Sequence, residues 1–184
     1  LPDEDQLADL YEAATDLLLG EGYEQYELSN WARPGHESRH NRTYWTDGEY
    51  LGIGAGAHGY LAGERYENLA HPSEYIERLS GPVLEASGAV ASRYSPDPAT
   101  SMSDWLGLRL RLIEGFLPEA FESRFGKTVF ECVGPVLEDC ASAGVLEVGP
   151  RIRLTRRGRL LHGEVAARLL AHINRSQSNT SGVS

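Results

Sequence analysis

No apolar run in this sequence approaches the roughly 20 residues that a membrane-spanning helix needs, so no transmembrane segment is predicted. Three of the first five residues are acidic, where a secretory signal peptide would carry positive charge. The chain also does not begin with methionine, and Met102 is the only methionine it contains. We therefore expect a cytoplasmic chain that is one part of a longer protein.

Positive charge and cysteine are also scarce. With 17 basic and 27 acidic residues the net charge is −10, so long-range repulsion from phosphate disfavours general nucleic-acid binding. The only cysteines, Cys132 and Cys140, fall in one predicted helix, where eight residues separate them by about 12 Å, too far for a disulfide. Neither has Cys or His companions for a cluster or zinc site, so we expect structural thiols in a reducing compartment.

The first 80 residues are predicted to mix helix and strand. Residues 3–20 carry apolar side chains at spacings of three and four, which predicts an amphipathic helix, and residues 23–28 follow as a strand. A helix, a short loop and a strand form half of a βαβ unit, which would complete a larger α/β barrel. No periodicity holds from 29 to 47, whereas turn residues 62–64 predict a hairpin and a helix follows His71.

The second half of the chain has a different pattern. Short apolar helices precede two strands that flank Gly149-Pro150, and a final helix begins at Thr155. Helices followed by a small hairpin and another helix are typical of a winged-helix-like domain. We expect an α/β part over 1–80, a linker over 81–100, a mostly α winged-helix-like domain over 101–172 and a disordered tail over 173–184.

Residues 54–59 read Gly-Ala-Gly-Ala-His-Gly and match GxGxxG, the fingerprint of dinucleotide-binding sites. Such a site needs a helix directly after the glycines, because the helix N-terminus holds the pyrophosphate. The residues that follow, 60–64, predict a turn instead. We therefore expect these glycines to let the backbone lie close to a flat ligand or to neighbouring backbone.

Residues 36–40 match HExxH, the zinc-protease pattern in which two histidines share one face of a helix. Pro34-Gly35 stands just before them, and no apolar residue between 36 and 42 would bury such a helix against a core. No third ligand follows at a characteristic spacing. A polar loop that contains two histidines is the better interpretation.

The segment 40–45, His-Asn-Arg-Thr-Tyr-Trp, carries side chains that suit a porphyrin. An imidazole such as His40 can ligate haem iron, and the faces of Tyr44 and Trp45 can pack on the macrocycle. The same residues also suit a structural role, with both aromatics packed inward and His40 hydrogen-bonded. The arginines available to pair with propionates are Arg33, Arg39 and Arg42.

Five stretches together resemble the HemW-type family of radical S-adenosylmethionine (SAM) proteins. They are 22–35 (its GYE-YEISN-AKPG segment), 40–45 (its HNxxYW motif), 50–59 (its YLGIGPGAHS loop), and 110–115 and 154–158 (landmarks of its C-terminal domain). The resemblance extends from about Leu1 to Leu170. It identifies the chain as the C-terminal part of such a protein.

The resemblance implies an α/β fold, the C-terminal end of a partial radical SAM α/β barrel, followed by the mostly α winged-helix-like domain. It implies a haem chaperone that passes haem to acceptor proteins such as haem-dependent respiratory enzymes. His40, Asn41 and Tyr44 would then bind haem, with His40 on the iron, and Ala57 and His58 would lie near SAM. The family holds a [4Fe-4S] cluster on a CxxxCxxC motif that this chain lacks, so no cluster ligand is assigned.

Two other functions stay open at this point. The first is a radical SAM enzyme that oxidises a porphyrinogen, such as oxygen-independent coproporphyrinogen III oxidase, which is related to the HemW-type family. Sequence that precedes Leu1 would distinguish it from the chaperone. The second is a nucleic-acid-binding winged helix, which the acidic net charge disfavours. Its candidate contacts are Arg151, Arg153, Arg156, Arg157 and Arg159.

Overall fold

The computed structural model describes residues 3–80 and 88–181. Within these ranges, helices alternate with three small antiparallel sheets. The helices are α1 (Glu4–Gly20), α2 (Arg39–Trp45), α3 (Pro72–Leu79), α4 (Pro98–Arg109), α5 (Pro118–Phe125), α6 (Val129–Ser142), α7 (Arg156–Leu160) and α8 (His162–Ser181). The strands are β1 (Glu24–Glu27), β2 (Asn30–Ala32), β3 (His58–Leu61), β4 (Glu64–Asn68), β5 (Val90–Tyr94), β6 (Leu146–Val148) and β7 (Ile152–Leu154).

The first helix and strand confirm the sequence pattern. A capping box begins α1, because Asp3 accepts from the Gln6 amide and the Gln6 side chain accepts from the Asp3 amide. Strand β1 follows, but it pairs with β2 in antiparallel register, and the described residues include no parallel neighbour for it. A further antiparallel bridge joins Glu27 to Leu112. Strand β1 therefore connects α1 directly to the helical part of the chain.

The predicted hairpin forms two strands of a three-stranded sheet in the order β3-β4-β5. Ala62 and Gly63 join β3 to β4 with φ angles of 51° and 79°, the left-handed conformation that a two-residue turn requires. Strand β5 adds to the other edge of β4. Part of the stretch expected as a linker, 81–100, is thus a sheet edge, and Pro98 already begins α4. Residues 81–87 of that stretch lie outside the described residues.

The helical part packs around an aromatic centre. Trp105 on α4 is almost fully buried, and its ring meets those of Phe116 and Phe121 edge to face at centroid distances of 5.0 and 5.5 Å. Helices α4 and α6 both pack on α8, and the hairpin β6–β7 closes one side through paired backbone hydrogen bonds between Phe116 and Ile152. This is the mostly α arrangement with a small hairpin that the sequence predicts.

The C-terminal helices depart from the prediction in two ways. Thr155 caps the short helix α7, and a break at Leu161 separates it from α8. Helix α8 also continues through 173–181, which we expected to be disordered, because Ile173 is still buried in the core and extends the helical packing. Residues 182–184 lie outside the described residues. Among the helices that the structure describes, none has the length and apolar character to cross a membrane.

Candidate functional site

The segment 40–45 forms a helix, where the sequence pattern predicted a loop. Ser38 is the N-cap of α2 and accepts a hydrogen bond from the Asn41 amide at 3.2 Å. The helix is two turns long and has no fully buried residue, so it lacks the apolar periodicity that would have predicted it. His36 and Glu37 precede this helix, so the HExxH residues do not share a helix face.

Neither of the two competing motifs has the structure that its chemistry requires. No group of three or more His, Cys, Asp or Glu side chains in the described part of the chain is arranged to hold a metal ion. The glycines at 54–59 run into strand β3, not into a helix, so no helix N-terminus faces a pyrophosphate. A Cβ on Gly59 would overlap the Tyr66 ring, and one on Gly52 would overlap the His58 carbonyl. Close approach within the protein thus accounts for these two glycines.

One face of α2 presents His40 and Tyr44 together. The two residues are four apart, so their side chains lie one above the other on the helix. Their rings meet edge to face with centroids 4.7 Å apart, and the Tyr44 ring contacts that of Tyr50 at 4.2 Å. His40 is exposed, and within the described residues its imidazole nitrogens have no hydrogen-bond partner. A free imidazole therefore stands at the open end of an aromatic row.

The neighbouring face of α2 attaches the helix to the rest of the protein. Asn41 donates from Nδ2 to the hydroxyl of Tyr26 on β1 at 3.4 Å. Trp45 lies under the guanidinium of Arg111, whose central carbon is 4.2 Å from the ring centroid. The structure therefore separates the three predicted haem contacts: His40 and Tyr44 share the open face, whereas Asn41 is turned towards β1.

Arg111 also joins α2 to a buried carboxylate. Glu27 on β1 is fully buried, and its Oε2 atom accepts from Arg111 Nη2 at 3.4 Å while Oε1 accepts from the Asn30 side chain. The same Nη2 atom donates to the Ser29 hydroxyl at 3.1 Å. The guanidinium thus lies between a buried acid and the Trp45 ring. Sequence reasoning did not identify Glu27 and Arg111 as a pair. A glutamate within a predicted strand is a usable signal, because a buried carboxylate needs a cation nearby.

The arginines expected to pair with propionates have different surroundings. Arg42 forms an ion pair with Glu114 at 2.7 Å, so its charge is already compensated. Arg33 lies over the Tyr23 ring at 5.3 Å. Arg39 is exposed and has no ion pair among the described residues. Of the three, Arg39 is the one whose charge is unengaged, and it is the immediate neighbour of His40.

The Gly-rich loop is joined to α2 through Tyr50. The Tyr50 ring contacts Tyr44, and the Tyr50 backbone pairs with that of Tyr60 on β3 in both directions. Burial, followed by the proximity of Tyr44, raises the pKa of Tyr50. His58 is exposed at the start of β3, with Nε2 4.0 Å from Glu67. The structure thus connects segment 40–45 with the Gly-rich loop 50–59. Ala57 and His58 lie where β3 begins, at the opposite end of the strand from Tyr60.

Asn68 holds the shape of this loop, and sequence reasoning missed it. Its buried side chain donates from Nδ2 to the carbonyl oxygens of Gly52 and Gly54, each at 3.0 Å. Its backbone N–H donates to the Ala57 carbonyl. Ile53, between the two glycines, is 83% exposed. The Asn68 side chain therefore fixes the backbone of the loop, while the Ile53 side chain is exposed to solvent.

Asp47 follows α2 directly and adopts a φ of 51°. Its carboxylate is 14% exposed and lies 3.8 Å from Arg124 on α5. Burial raises the pKa of Asp47, even though Arg124, Arg65 and Arg109 lie near enough to lower it. With Tyr44, Tyr50 and other neighbours it lines a cavity of about 110 Å³.

Replacing Asp47 with asparagine is expected to leave thermal stability at pH 7.5 unchanged or higher. The pKa of this carboxyl is raised in the folded state, so its ionisation costs stability once the pH exceeds the ordinary aspartate pKa. Asparagine also tolerates a positive φ. Thermal unfolding of both proteins at pH 7.5 and at about pH 4 checks this. A lower Tm of the variant at pH 7.5 would show that the arginine contacts outweigh the cost of burial.

The arginines of the candidate nucleic-acid surface are largely engaged within the protein. Arg151 pairs with Glu114 at 3.4 Å and Arg153 with Glu147 at 2.7 Å. Arg156 contacts both Glu12 and Asp16 of α1, at 3.3 and 2.8 Å. Three of the five arginines thus have acidic partners, and Arg151 shares its partner Glu114 with Arg42. This arrangement does not favour a phosphate-binding surface. The other two, Arg157 and Arg159, have no acidic partner among the described residues.

The two cysteines do not fit an iron–sulfur cluster. Both lie on α6, as predicted, and neither is in a disulfide. Burial raises the pKa of both the Cys132 and the Cys140 thiol, which opposes the thiolate form that a cluster needs. No cluster chemistry is therefore assigned to residues of this chain.

Comparison with known proteins places these observations in a family. The HemN C-terminal domain family matches residues 97–161. Similar proteins named heme chaperone HemW come from Mycobacterium tuberculosis (42% identical over 170 residues), Lactococcus lactis (37% over 177) and Escherichia coli (31% over 177). These alignments cover 92%, 92% and 93% of this chain but 40%, 44% and 44% of the relatives. The chain thus spans less than half of their length.

The fold also has a counterpart among solved structures. The chain superimposes on coproporphyrinogen III oxidase (HemN) from Escherichia coli, described as a radical SAM enzyme, with a TM-score of 0.69. The match covers 92% of this chain and 42% of that one at 18% sequence identity. This likeness shows the fold alone. It confirms the predicted fold class, an α/β part followed by a mostly α domain.

Proposed function

Because the chain belongs to the HemW-type haem chaperone family, as a C-terminal part, we propose that it binds haem through His40 and takes part in delivering haem to acceptor proteins. The observation that carries this proposal is the row formed by His40, Tyr44 and Tyr50. An imidazole without a protein partner is available to ligate iron. The tyrosine rings next to it offer faces on which a porphyrin can pack.

His40, Asn41 and Tyr44 on α2 have different roles in this proposal. His40 supplies the iron ligand and Tyr44 supports both the imidazole and the porphyrin face. Asn41 is not a direct contact in this proposal, because its side chain is held by Tyr26; it orients the helix. An exposed ligand on a short helix leaves the other side of the iron accessible, so an acceptor protein can exchange its own ligand for His40.

Haem is the cargo in this proposal, and the other cofactors belong to the longer protein. We propose that the intact protein binds SAM, with Ala57 and His58 near it, and holds a [4Fe-4S] cluster on residues outside this chain. The acceptors would be haem-dependent enzymes such as those of respiration, in the cytoplasm or at its membrane face. A porphyrinogen oxidase is the alternative, because the HemN structure with which this chain shares its fold is named as such an oxidase.

Titration with hemin tests the proposal directly. We expect the chain to shift the Soret band of hemin, and His40→Ala to weaken binding at least about tenfold, equivalent to 1.4 kcal/mol. His36→Ala is the matched control, because His36 is also exposed and lies just before the same helix but outside the aromatic row. Equal binding by the wild type and His40→Ala, or an equal loss in His36→Ala, would contradict the assignment of His40.

A further inference from the structure

A second cavity of the molecule lies away from the open face of α2, between α1, the end of β1 and α7. Its volume is about 800 Å³. Apolar side chains form part of its wall, and three arginines share the same space. The residues that the argument uses are Leu7, Leu28, Leu160, Arg111, Arg157 and Arg159. We call this space the α1–α7 cleft.

Arg159 is the residue of the α1–α7 cleft whose positive charge has no acidic partner in the described part of the chain. It is half-buried, and in the described part of the chain no carboxylate lies within ion-pair distance of it. Its one side-chain partner is neutral, the Oε1 atom of Gln25 at 2.9 Å, and its Nε–H is buried with no acceptor. A half-buried cation without a counter-ion is costly. Burial accordingly lowers the pKa of Arg159.

The other two arginines of the cleft differ in how far they are engaged. Arg157 donates only to the carbonyl of Ala143 at 3.3 Å and has no acidic partner among the described residues. Arg111 is committed to Glu27, although its Nε–H also lacks an acceptor. Net positive charge therefore remains on the α7 side of the cleft. Glu4 and Asp5 also line it, from the first turn of α1.

The cleft is a fixed part of the fold. Arg156 on α7 reaches Asp16 and Glu12 of α1 at 2.8 and 3.3 Å. The hydroxyl of Tyr11, which lines the cleft, donates to the Leu28 carbonyl at 2.9 Å. The first contact joins α7 to α1 and the second joins α1 to the residue that follows β1, so each wall of the cleft is attached to its neighbour by the protein itself.

We propose that the α1–α7 cleft binds an amphipathic carboxylate, with Arg159 as the principal cation and the leucines around the apolar body. A guanidinium fork matches a carboxylate in two parallel hydrogen bonds, and the carboxylate would supply the counter-ion that Arg159 lacks among the described residues. If the carboxylate is a porphyrin propionate, the inference rests on the proposed function. Binding of any other carboxylate with an apolar body is independent of that function.

Iron-free protoporphyrin IX is the probe that separates this site from His40. It carries two propionates and no iron, so His40 has nothing to ligate. We expect it to quench the tryptophan fluorescence of the 184-residue chain, and Arg159→Gln to weaken binding at least tenfold. Arg159→Lys should bind with intermediate affinity, because it keeps the charge and loses the fork. Dodecanoate should compete with the porphyrin, because it shares the carboxylate and the apolar body.

Two controls and one structural measurement accompany the titration. Arg153→Gln removes an exposed arginine that has its own acid, Glu147, and should bind like the wild type. His40→Ala should also bind the iron-free porphyrin like the wild type. Without ligand, Arg159→Gln should melt within about 3 °C of the wild type, because glutamine removes the uncompensated charge and can still donate to Gln25.

Several outcomes would overturn the inference. These are wild-type binding by Arg159→Gln, loss of binding in His40→Ala, competition by inorganic phosphate but not by dodecanoate, and a loss of binding in Arg159→Gln that merely follows a large fall in its Tm. A chain that binds protoporphyrin through Arg159 but shows no His40-dependent Soret shift would refute the proposed haem ligation alone. The reverse result would refute the cleft alone.

Discussion

Replacing Arg111 with methionine is expected to lower the free energy of unfolding by about 3–5 kcal/mol, because it leaves the carboxylate of Glu27 buried without a cation. Glu27 is inaccessible to solvent, and its remaining partner, the Asn30 amide, carries no charge. Methionine retains an apolar stem like that of arginine and lacks the charge, so the packing of the stem is largely kept. Urea denaturation followed by circular dichroism measures the change.

A double variant separates the unpaired charge from any other cause. Glu27→Gln with Arg111→Met removes both charges, and we expect it to recover most of the stability that Arg111→Met loses. Arg153→Met is the matched single control, since its partner Glu147 is exposed, and exposed pairs contribute at most about 1 kcal/mol. A double variant as unstable as Arg111→Met alone would show that the buried charge is not the reason.

The Arg111 variants also report on α2. The guanidinium covers the Trp45 ring at 4.2 Å and so ties this helix to β1. If α2 carries the haem ligand, the stable double variant should still bind hemin several-fold more weakly than the wild type. Retained hemin affinity would show that the remaining contacts of α2, such as Asn41 with Tyr26 and Arg42 with Glu114, are sufficient to hold the helix.

Gly158→Ala is expected to destabilise the chain by about 3 kcal/mol, although alanine is the better helix former. Gly158 lies in α7 with its Cα against the segment before β6. A Cβ there would overlap the carbonyl oxygen of Val145 and lie 2.8 Å from its carbonyl carbon. The backbone on both sides is fixed, because Thr155 donates its amide to that same carbonyl and caps α7 through the Gly158 amide.

Gly163→Ala provides the opposite result from the same substitution. Gly163 is in the first turn of α8, and a Cβ added there meets nothing within 4 Å. Here the helix propensity of alanine acts alone, so we expect stability to rise by up to about 1 kcal/mol. Thermal unfolding of the wild type and the two variants measures both changes in stability. A stabilised Gly158→Ala would mean that the chain around Val145 relaxes easily.

The elements with a strong local signal were predicted correctly. Helix α1 has an apolar period and an acidic N-cap, the 62–64 turn has residues that suit a tight hairpin, and Thr128 begins α6 with a capping box. Strand β5 and helix α2 were missed. Strand β5 is mostly exposed and α2 has no buried face, so neither shows the periodicity on which prediction depends.

The site residues divide in a similar way. The motif positions His40, Asn41 and Tyr44 came from the sequence through the family resemblance, and their roles in binding stay predictions. Their separation into an open face and an attached face came from the structure. Arg111 is 66 positions beyond Trp45 in the numbering of the chain, and no local pattern connects the two.

The sequence by itself determined what depends on neighbours along the chain: the capped helices, the hairpin turn and the motifs that carry the family resemblance. The segment 40–45, which the sequence predicted as a loop, forms a helix that Ser38 caps and that Tyr26 and Arg111 contact along one face. The tertiary structure alone decided which charges are compensated. Glu27 pairs with Arg111 and Arg156 pairs with α1, whereas Arg159 has no acidic partner within residues 3–80 and 88–181. Pairing depends on the distance in space between residues far apart in sequence.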